Sequence, residues 1–185
     1  MSTLDARMQA VIDKQEIWEL SIRYMRGLDR LDADIMRTVF HDDATTDYGF
    51  FQGGGAAFVD FCQVALKDHL ANHHMLGQAH IEVEGDEAFG EVYFHAFHRI
   101  RAQVDGRSEE QDLIIAGRYV DRYTRRDGMW KIAHRTEVND WARNSPAADS
   151  YLKSSKCFLG ERKPGDLSYN KAWLREQKLP PKAGA

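Results

Sequence analysis

Cysteine and proline are both scarce in this chain, and each shortage narrows what it can be. The two cysteines, Cys62 and Cys157, lie far apart and form no Cys-x-x-Cys pair. That excludes a disulfide-stapled scaffold and a zinc ribbon, and makes a reduced, cytoplasmic setting the expectation. The four prolines, Pro146, Pro164, Pro180 and Pro181, all fall late, so everything before Pro146 is free to form helix or strand. Long apolar runs are missing too, which argues against a membrane span. The opening MSTLDARMQAVIDKQEIWEL is amphipathic and charged, without the apolar core of a signal peptide. Nor is there a surplus of basic charge. With 25 Lys and Arg against 29 Asp and Glu, a nucleic-acid partner is not expected, because phosphate backbones need a concentrated basic surface.

What is present is ordinary in amount and informative in order. The 185 residues suit one domain with a core and a small ligand cavity. In KQEIWELSIRYMRGLDRLD, Ile17, Leu20, Tyr24 and Leu28 follow one helical stripe; Trp18, Ile22, Met25 and Asp29 follow the one beside it. Asp32 reads as the N-cap of a second helix carrying Met36, Val39 and Phe40. A third helix is expected from Ala56 to Ala71, with Phe58, Phe61, Cys62, Ala65, Leu66 and His69 facing the core. The periodicity then drops to two. From Ala79 to Trp141, the turn signals EGDE, VDGR and RRDG separate four runs rich in Val, Ile, Phe and Tyr, which predicts an antiparallel meander. Helices followed by a meander make an α+β fold, a curved sheet with helices across one face. The folded domain is expected over residues 1–141. Residues 142–185 read as a tail that docks on it or on a neighbouring subunit through parts such as Phe158 and Trp173.

Histidine is concentrated: six of the eight fall between His69 and His98. Alternation in EVYFHAFHRIR sets Val92, Phe94, Ala96, His98 and Ile100 on one face and Glu91, Tyr93, His95, Phe97 and Arg99 on the other, so His98 reads as inward. On a continuous third helix His69 and His73 would be an i, i+4 pair. The glutamate of a zinc-protease motif is missing from HLANHH and no third ligand has a natural spacing, so no metal is expected. Strict alternation back from Ile81 and Val83 turns His74 outward; a bulge at Gly77 would turn it in. Alternation also groups Arg135 with Lys131, Ala133 and Glu137, away from Trp130 and Ile132, which reads as a surface ion pair.

IWELSIRYMRGLD, FHDDATTDYG, HHMLGQAHIEVEGDEAFGEVYF and GRYVDRYTRRDGMWKI together resemble the SnoaL-like branch of the nuclear transport factor 2-like superfamily, from about Lys14 to Trp141. The resemblance implies a cone-shaped α+β barrel: three helices packed on a strongly bent mixed sheet around an apolar pocket. It is closest to cofactor-free lyases, namely bile-acid 7α-dehydratases, scytalone dehydratase and a dehydrochlorinase of the same build. Those families use a His–Asp dyad as base, and the matching positions here are Asp29 and His74, with Gln78 where asparagine is usual. Tyr24, Tyr48, His98 and Arg135 fall at further catalytic positions. Trp18, Met25, Phe50, Phe58, Phe61, Val92 and Phe94 are expected to line the pocket.

The implied chemistry needs no cofactor. A neutral imidazole, with an unperturbed pKa of about 6.5, is a competent base near neutral pH. A carboxylate on its other nitrogen fixes the tautomer and stabilises the imidazolium. The reading is therefore a dehydratase acting on a hydroxylated alicyclic or steroid-like compound, from a homo-oligomer (dimer or trimer) with no membrane partner. Two alternatives stay open: a ketosteroid-isomerase-like or polyketide-cyclase-like enzyme using the same base, and a non-catalytic small subunit of a ring-hydroxylating dioxygenase.

Overall fold

The computed structural model describes residues 3–176. Pro180 and Pro181, two of the four late prolines, lie outside them. Helix α1 (Thr3–Arg30) buries the expected stripe of Ile17, Leu20, Tyr24 and Leu28. Its N-terminal end runs free of the core, with Leu4, Met8, Val11 and Ile12 exposed; burial begins at Asp13. Asp32 caps α2 (Ala33–Arg37) as expected, its Oδ1 accepting from the Ile35 amide at 3.4 Å. Strand β1 (Phe40–Asp47) and the short β2 (Gln52–Gly54) lead into α3 (Gly55–Leu66).

Helix α3 stops at Leu66, short of the expected Ala71. The amide of Leu70 bonds instead to the Arg99 carbonyl at 2.8 Å, so the chain joins the sheet where helical continuation was predicted. Strand β3 accordingly starts at Ala71, ahead of Ala79, and runs to Glu84. His69 and His73 are therefore not a helical pair. His69 sits in the connection, and His73 is exposed on a strand.

The rest is the predicted meander: β4 (Glu87–Val104), β5 (Arg107–Arg126) and β6 (Met129–Pro146). Strand order is β2-β1-β6-β5-β4-β3, antiparallel throughout except that β1 runs parallel to β6, so the sheet is mixed. The two Asp-Gly turns have both central residues at positive φ, Asp105 and Gly106 in one, Asp127 and Gly128 in the other. That is the backbone twist a two-residue hairpin requires. The helices cover one face of this six-stranded sheet, and the core forms between them from residues such as Met36, Val39, Tyr123 and Ile132.

Three irregularities along β3 to β6 decide which of their side chains face that core. Register shifts lie between Leu76 and Ala79 on β3, between Ala116 and Gly117 on β5, and between Arg122 and Tyr123, where β6 inserts Ala133. Each adds one residue to one strand, and one added residue inverts every later side chain.

Strand β6 carries on beyond Trp141 to Pro146, paired with Gln111. Beyond it lie the short helices α4 (Tyr151–Ser154) and α5 (Lys171–Glu176), with a 3-10 turn at Leu167–Tyr169 between them. Residues 161–169 lie against the C-terminal end of α1. Arg30 donates to the Glu161 carbonyl at 2.9 Å and to Asp166 at 3.0 Å. Lys163 reaches Asp32 at 2.8 Å, and the Tyr169 hydroxyl donates to the same carboxylate at 2.8 Å. Phe158 and Trp173 meet each other edge-on at 6.0 Å. Among the described residues no helix is long and apolar enough to cross a membrane.

Candidate active site

A mostly apolar cavity of about 220 Å³ opens between the helices and the sheet. Helix α1 contributes Tyr24 and Leu28, and α3 contributes Phe58, Phe61, Cys62, Ala65 and Leu66. Tyr48 and Phe50 enter from the turn after β1, and the sheet supplies His74, Phe94, Ala96, His98, Ile115, Tyr119 and Glu137. Of the residues expected to line a pocket, Phe50, Phe58, Phe61 and Phe94 do so. Phe50 and Phe61 stand partly exposed at its edge, with their rings 5.9 Å apart. Trp18, Met25 and Val92 do not. Trp18 and Met25 border a second groove between α1 and β3, with Ile22, Arg26, His73 and Leu76; Asp29 and His74 line it too, His74 standing between the two hollows. Val92 is fully buried in the sheet. Helical and strand periodicity separate buried from exposed faces, but cannot tell a cavity wall from solid core.

His74 turns inward because of the β3 bulge. Before it Asn72, His74 and Leu76 face the helices; after it Ile81 and Val83 do. The bulge comes at Gly77 as expected, yet Gly77 has no positive φ. What its lack of a Cβ provides is room, since an added carbon would sit 3.3 Å from Tyr93 Cβ. Inward-turned, His74 holds its Nδ1 at 2.7 Å from Asp29 Oδ1. The same carboxylate accepts from the His74 backbone amide, with both oxygens at 3.2 Å. Both side chains are largely shielded from water. The Nδ1 hydrogen is thereby committed to Asp29, and Nε2 is left with its lone pair.

Asp29 sits in the last turn of α1, where the helix dipole disfavours an anion. The tail offsets this. The Arg162 guanidinium donates to the Asp29 carbonyl, and also approaches the Leu66 and His69 carbonyls at 3.5 and 3.4 Å, at the end of α3. A cation at the carboxyl ends of two helices is electrostatically well placed.

Tyr24 and Tyr48 share a hydrogen bond at 2.7 Å. Burial pushes both hydroxyls well above the ordinary phenol range, so they stay protonated. Tyr48 stacks on Phe58 at 3.9 Å, and Tyr119 on Phe94 at 4.6 Å. His98 is buried among these groups, its pKa held down at about 3 by burial and then by the nearby His74 and His69 rings. It is therefore a neutral imidazole.

Arg135 overturns the surface reading. It is 0% exposed and paired with Asp121 through Nε at 2.8 Å and Nη2 at 2.7 Å. Its guanidinium lies 4.3 Å from the Tyr24 ring centre and 4.1 Å from that of Tyr119. The cause is Ala133. Alternation holds through Trp130 and Ile132, the inserted residue reverses it, and Arg135 then faces inward. Arg135 stands behind the two tyrosines and does not line the cavity. The same reversal brings Glu137 to the wall, where burial pushes its carboxyl pKa up. Glu137, Tyr119, Asp121, Asn72 and Arg162 were not singled out from sequence, and no glycine marks the bulge at Ala133. Among the described residues no group of three or more His, Cys, Asp or Glu could hold a metal ion.

The sequence pattern of the SnoaL-like domain matches residues 9–136, which hold every residue lining this cavity except Glu137. The chain belongs to the SnoaL-like family. Solved structures agree on the fold. A protein from Novosphingobium aromaticivorans DSM 12444, provisionally named a scytalone dehydratase, superposes with a TM-score of 0.63 at 20% identity, over 75% of this chain and 91% of its own. The hexachlorocyclohexane dehydrochlorinase LinA-type3 from Novosphingobium barchaimii LL02 gives 0.65 at 20% identity, over 77% and 94%. A nuclear transport factor 2-like protein with a cystatin-like fold, also from Novosphingobium aromaticivorans, gives 0.58 at 27% identity, over 74% and 88%. No curated protein matches the chain.

Proposed function

We propose that this SnoaL-like protein is a cofactor-independent hydro-lyase, with His74 the base that removes a proton from carbon and Asp29 the carboxylate that orients it. The observation carrying this reading is the 2.7 Å contact between His74 Nδ1 and Asp29, with His74 on the wall of a mostly apolar cavity. Nε2 takes a proton from a carbon next to a carbonyl. Negative charge then builds on the carbonyl oxygen, and the hydroxyl on the neighbouring carbon leaves with a proton from the enzyme as water. Asp29 stabilises the imidazolium formed in the first step.

The roles of the other groups follow from their proton affinities. Tyr24, Tyr48 and His98 are neutral donors suited to the developing oxyanion; a positioned donor of this kind is worth about 10²–10³ in rate. Phenols pushed above their usual range are poor acids. Glu137, raised but still a carboxylic acid, is the better source of the proton for the leaving hydroxyl. Arg135 acts at one remove, holding the Tyr24 ring from behind.

Ligand pockets run from about 300 Å³ upward, so a cavity of about 220 Å³ favours a one- or two-ring hydroxylated carbonyl compound over a steroid. The test is turnover of small cyclic β-hydroxy ketones, followed by mass spectrometry. Loss of about 18 Da, the mass of water, supports elimination, with rate falling about 10²–10⁴-fold in His74→Ala and Asp29→Asn. Conserved mass would point to isomerisation or ring closure by the same base. Undiminished turnover in both variants would remove the mechanism.

A further inference from the structure

The second imidazole of the cavity has a different partner from the first, and that partner is controlled from the tail. His98 Nδ1 and His69 Nδ1 both lie 2.9 Å from the side-chain amide of Asn72. The amide's neighbours decide its orientation. On one side are the two ring nitrogens and the Ala71 carbonyl, 2.9 Å away; on the other is the Arg162 guanidinium, with Nη2 at 2.9 Å and Nη1 at 3.2 Å. A guanidinium has only hydrogens to offer. The amide oxygen must therefore face Arg162, and the amide nitrogen must face the rings. A hydrogen on His98 Nδ1 would then point at an amide nitrogen, which cannot accept it, so Nδ1 carries none. His98 is neutral, which leaves its single ring hydrogen on Nε2.

We infer that Arg162, acting through Asn72, fixes His98 as its Nε2–H tautomer. Arg162 is a positioning residue and touches no reacting atom. The consequence is a division of labour between two like side chains whose ring centres are 5.0 Å apart. A carboxylate beside His74 leaves that ring with a bare Nε2, and an amide beside His98 leaves that ring with a hydrogen on Nε2. One is a base and the other a donor, chosen by what touches Nδ1. The docked tail is thus part of the site's wiring, since Arg162 also holds the ends of α1 and α3. The use of this tautomer as an oxyanion donor rests on the hydro-lyase reading; the tautomer itself does not.

The experiment is nitrogen-15 NMR of the histidine rings in the full chain without substrate, which separates the two failures. Wild type is expected to show His98 with a pyridine-like Nδ1 and a protonated Nε2. Asn72→Asp replaces the donor with an acceptor, so a hydrogen should move onto Nδ1. Arg162→Met frees the amide to rotate, so a population with hydrogen on Nδ1 should appear. A protonated Nδ1 in the wild type overturns the inference with no variant needed. So does an Arg162→Met spectrum identical to wild type, or a bare Nδ1 in Asn72→Asp. Loss of turnover in Arg162→Met with the tautomer unchanged would likewise sink the relay and leave the elimination mechanism intact.

Discussion

Single side chains here take their chemistry from one or two neighbours. His74 and His98 are the same residue type in one cavity, yet a carboxylate and an amide give them opposite hydrogen-bonding character. Glu137 makes the same point for acids. Burial raises its pKa, with the Arg135 charge opposing the shift, so it keeps its proton to higher pH than a solvated glutamate. An acid must be protonated to act, so its contribution to turnover falls as pH rises through its pKa. Glu137→Gln should therefore slow elimination and remove the alkaline limb of the kcat profile, leaving the acid limb in place. Unchanged limbs in that variant would assign the proton to another group. Arg135 and Asp121 form a buried pair that supports the tyrosines without lining the cavity, which explains why a motif position and an alternation count pointed different ways.

Among the secondary-structure elements, the bulges do more than the strands' length to define the site. Without the insertion at Ala133, Arg135 and Glu137 would face outward, and without the one on β3, His74 would leave Asp29. The β5 irregularity depends on Gly117, where an added Cβ would lie 2.2 Å from the Val138 carbonyl oxygen and 3.0 Å from Asn139 Cα. Both are backbone atoms that no rotamer change can move. Gly117→Ala should lower stability by about 1–3 kcal/mol, the usual cost of overpacking. It should appear as a lower urea midpoint with an unchanged slope. An unaltered midpoint would mean that β6 can slide at this point. Periodicity found the helical stripe of α1, the Asp32 cap and the Asp-Gly turns. It overran α3, because the Leu70 amide finds its partner in Arg99, a residue distant in sequence.

For the whole molecule, pH couples the cavity to stability. Burial holds His98 near 3, whereas an unfolded histidine titrates near 6.5. Between those values the unfolded chain binds more protons than the folded one, so stability is full above about 6.5 and declines as pH falls toward 3. His69, also lowered by burial, adds in the same direction. Glu137 has the opposite sign, stabilising at low pH and losing that contribution as pH rises through its folded value. Denaturation midpoints measured across this range should therefore drop on acidification, less steeply in His98→Gln. An equal slope in that variant would show that another group dominates.

The sequence by itself determined the helices-then-meander order, the inward face of β4 with His98, and the family to which the dyad positions belong. The first two follow from local spacing, which a chain carries wherever it is folded; the third rests on the resemblance of four motifs in register. Only the tertiary structure decided that Arg135 and Glu137 face the core, that Trp18, Met25 and Val92 miss the cavity, and that Arg162 lies against the Asn72 amide. A bulge is set by the strand alongside, and one added residue reverses all parity beyond it. Contacts between Arg162 and residues 29 to 72 depend on the tail folding back across the helix ends, which no local pattern encodes.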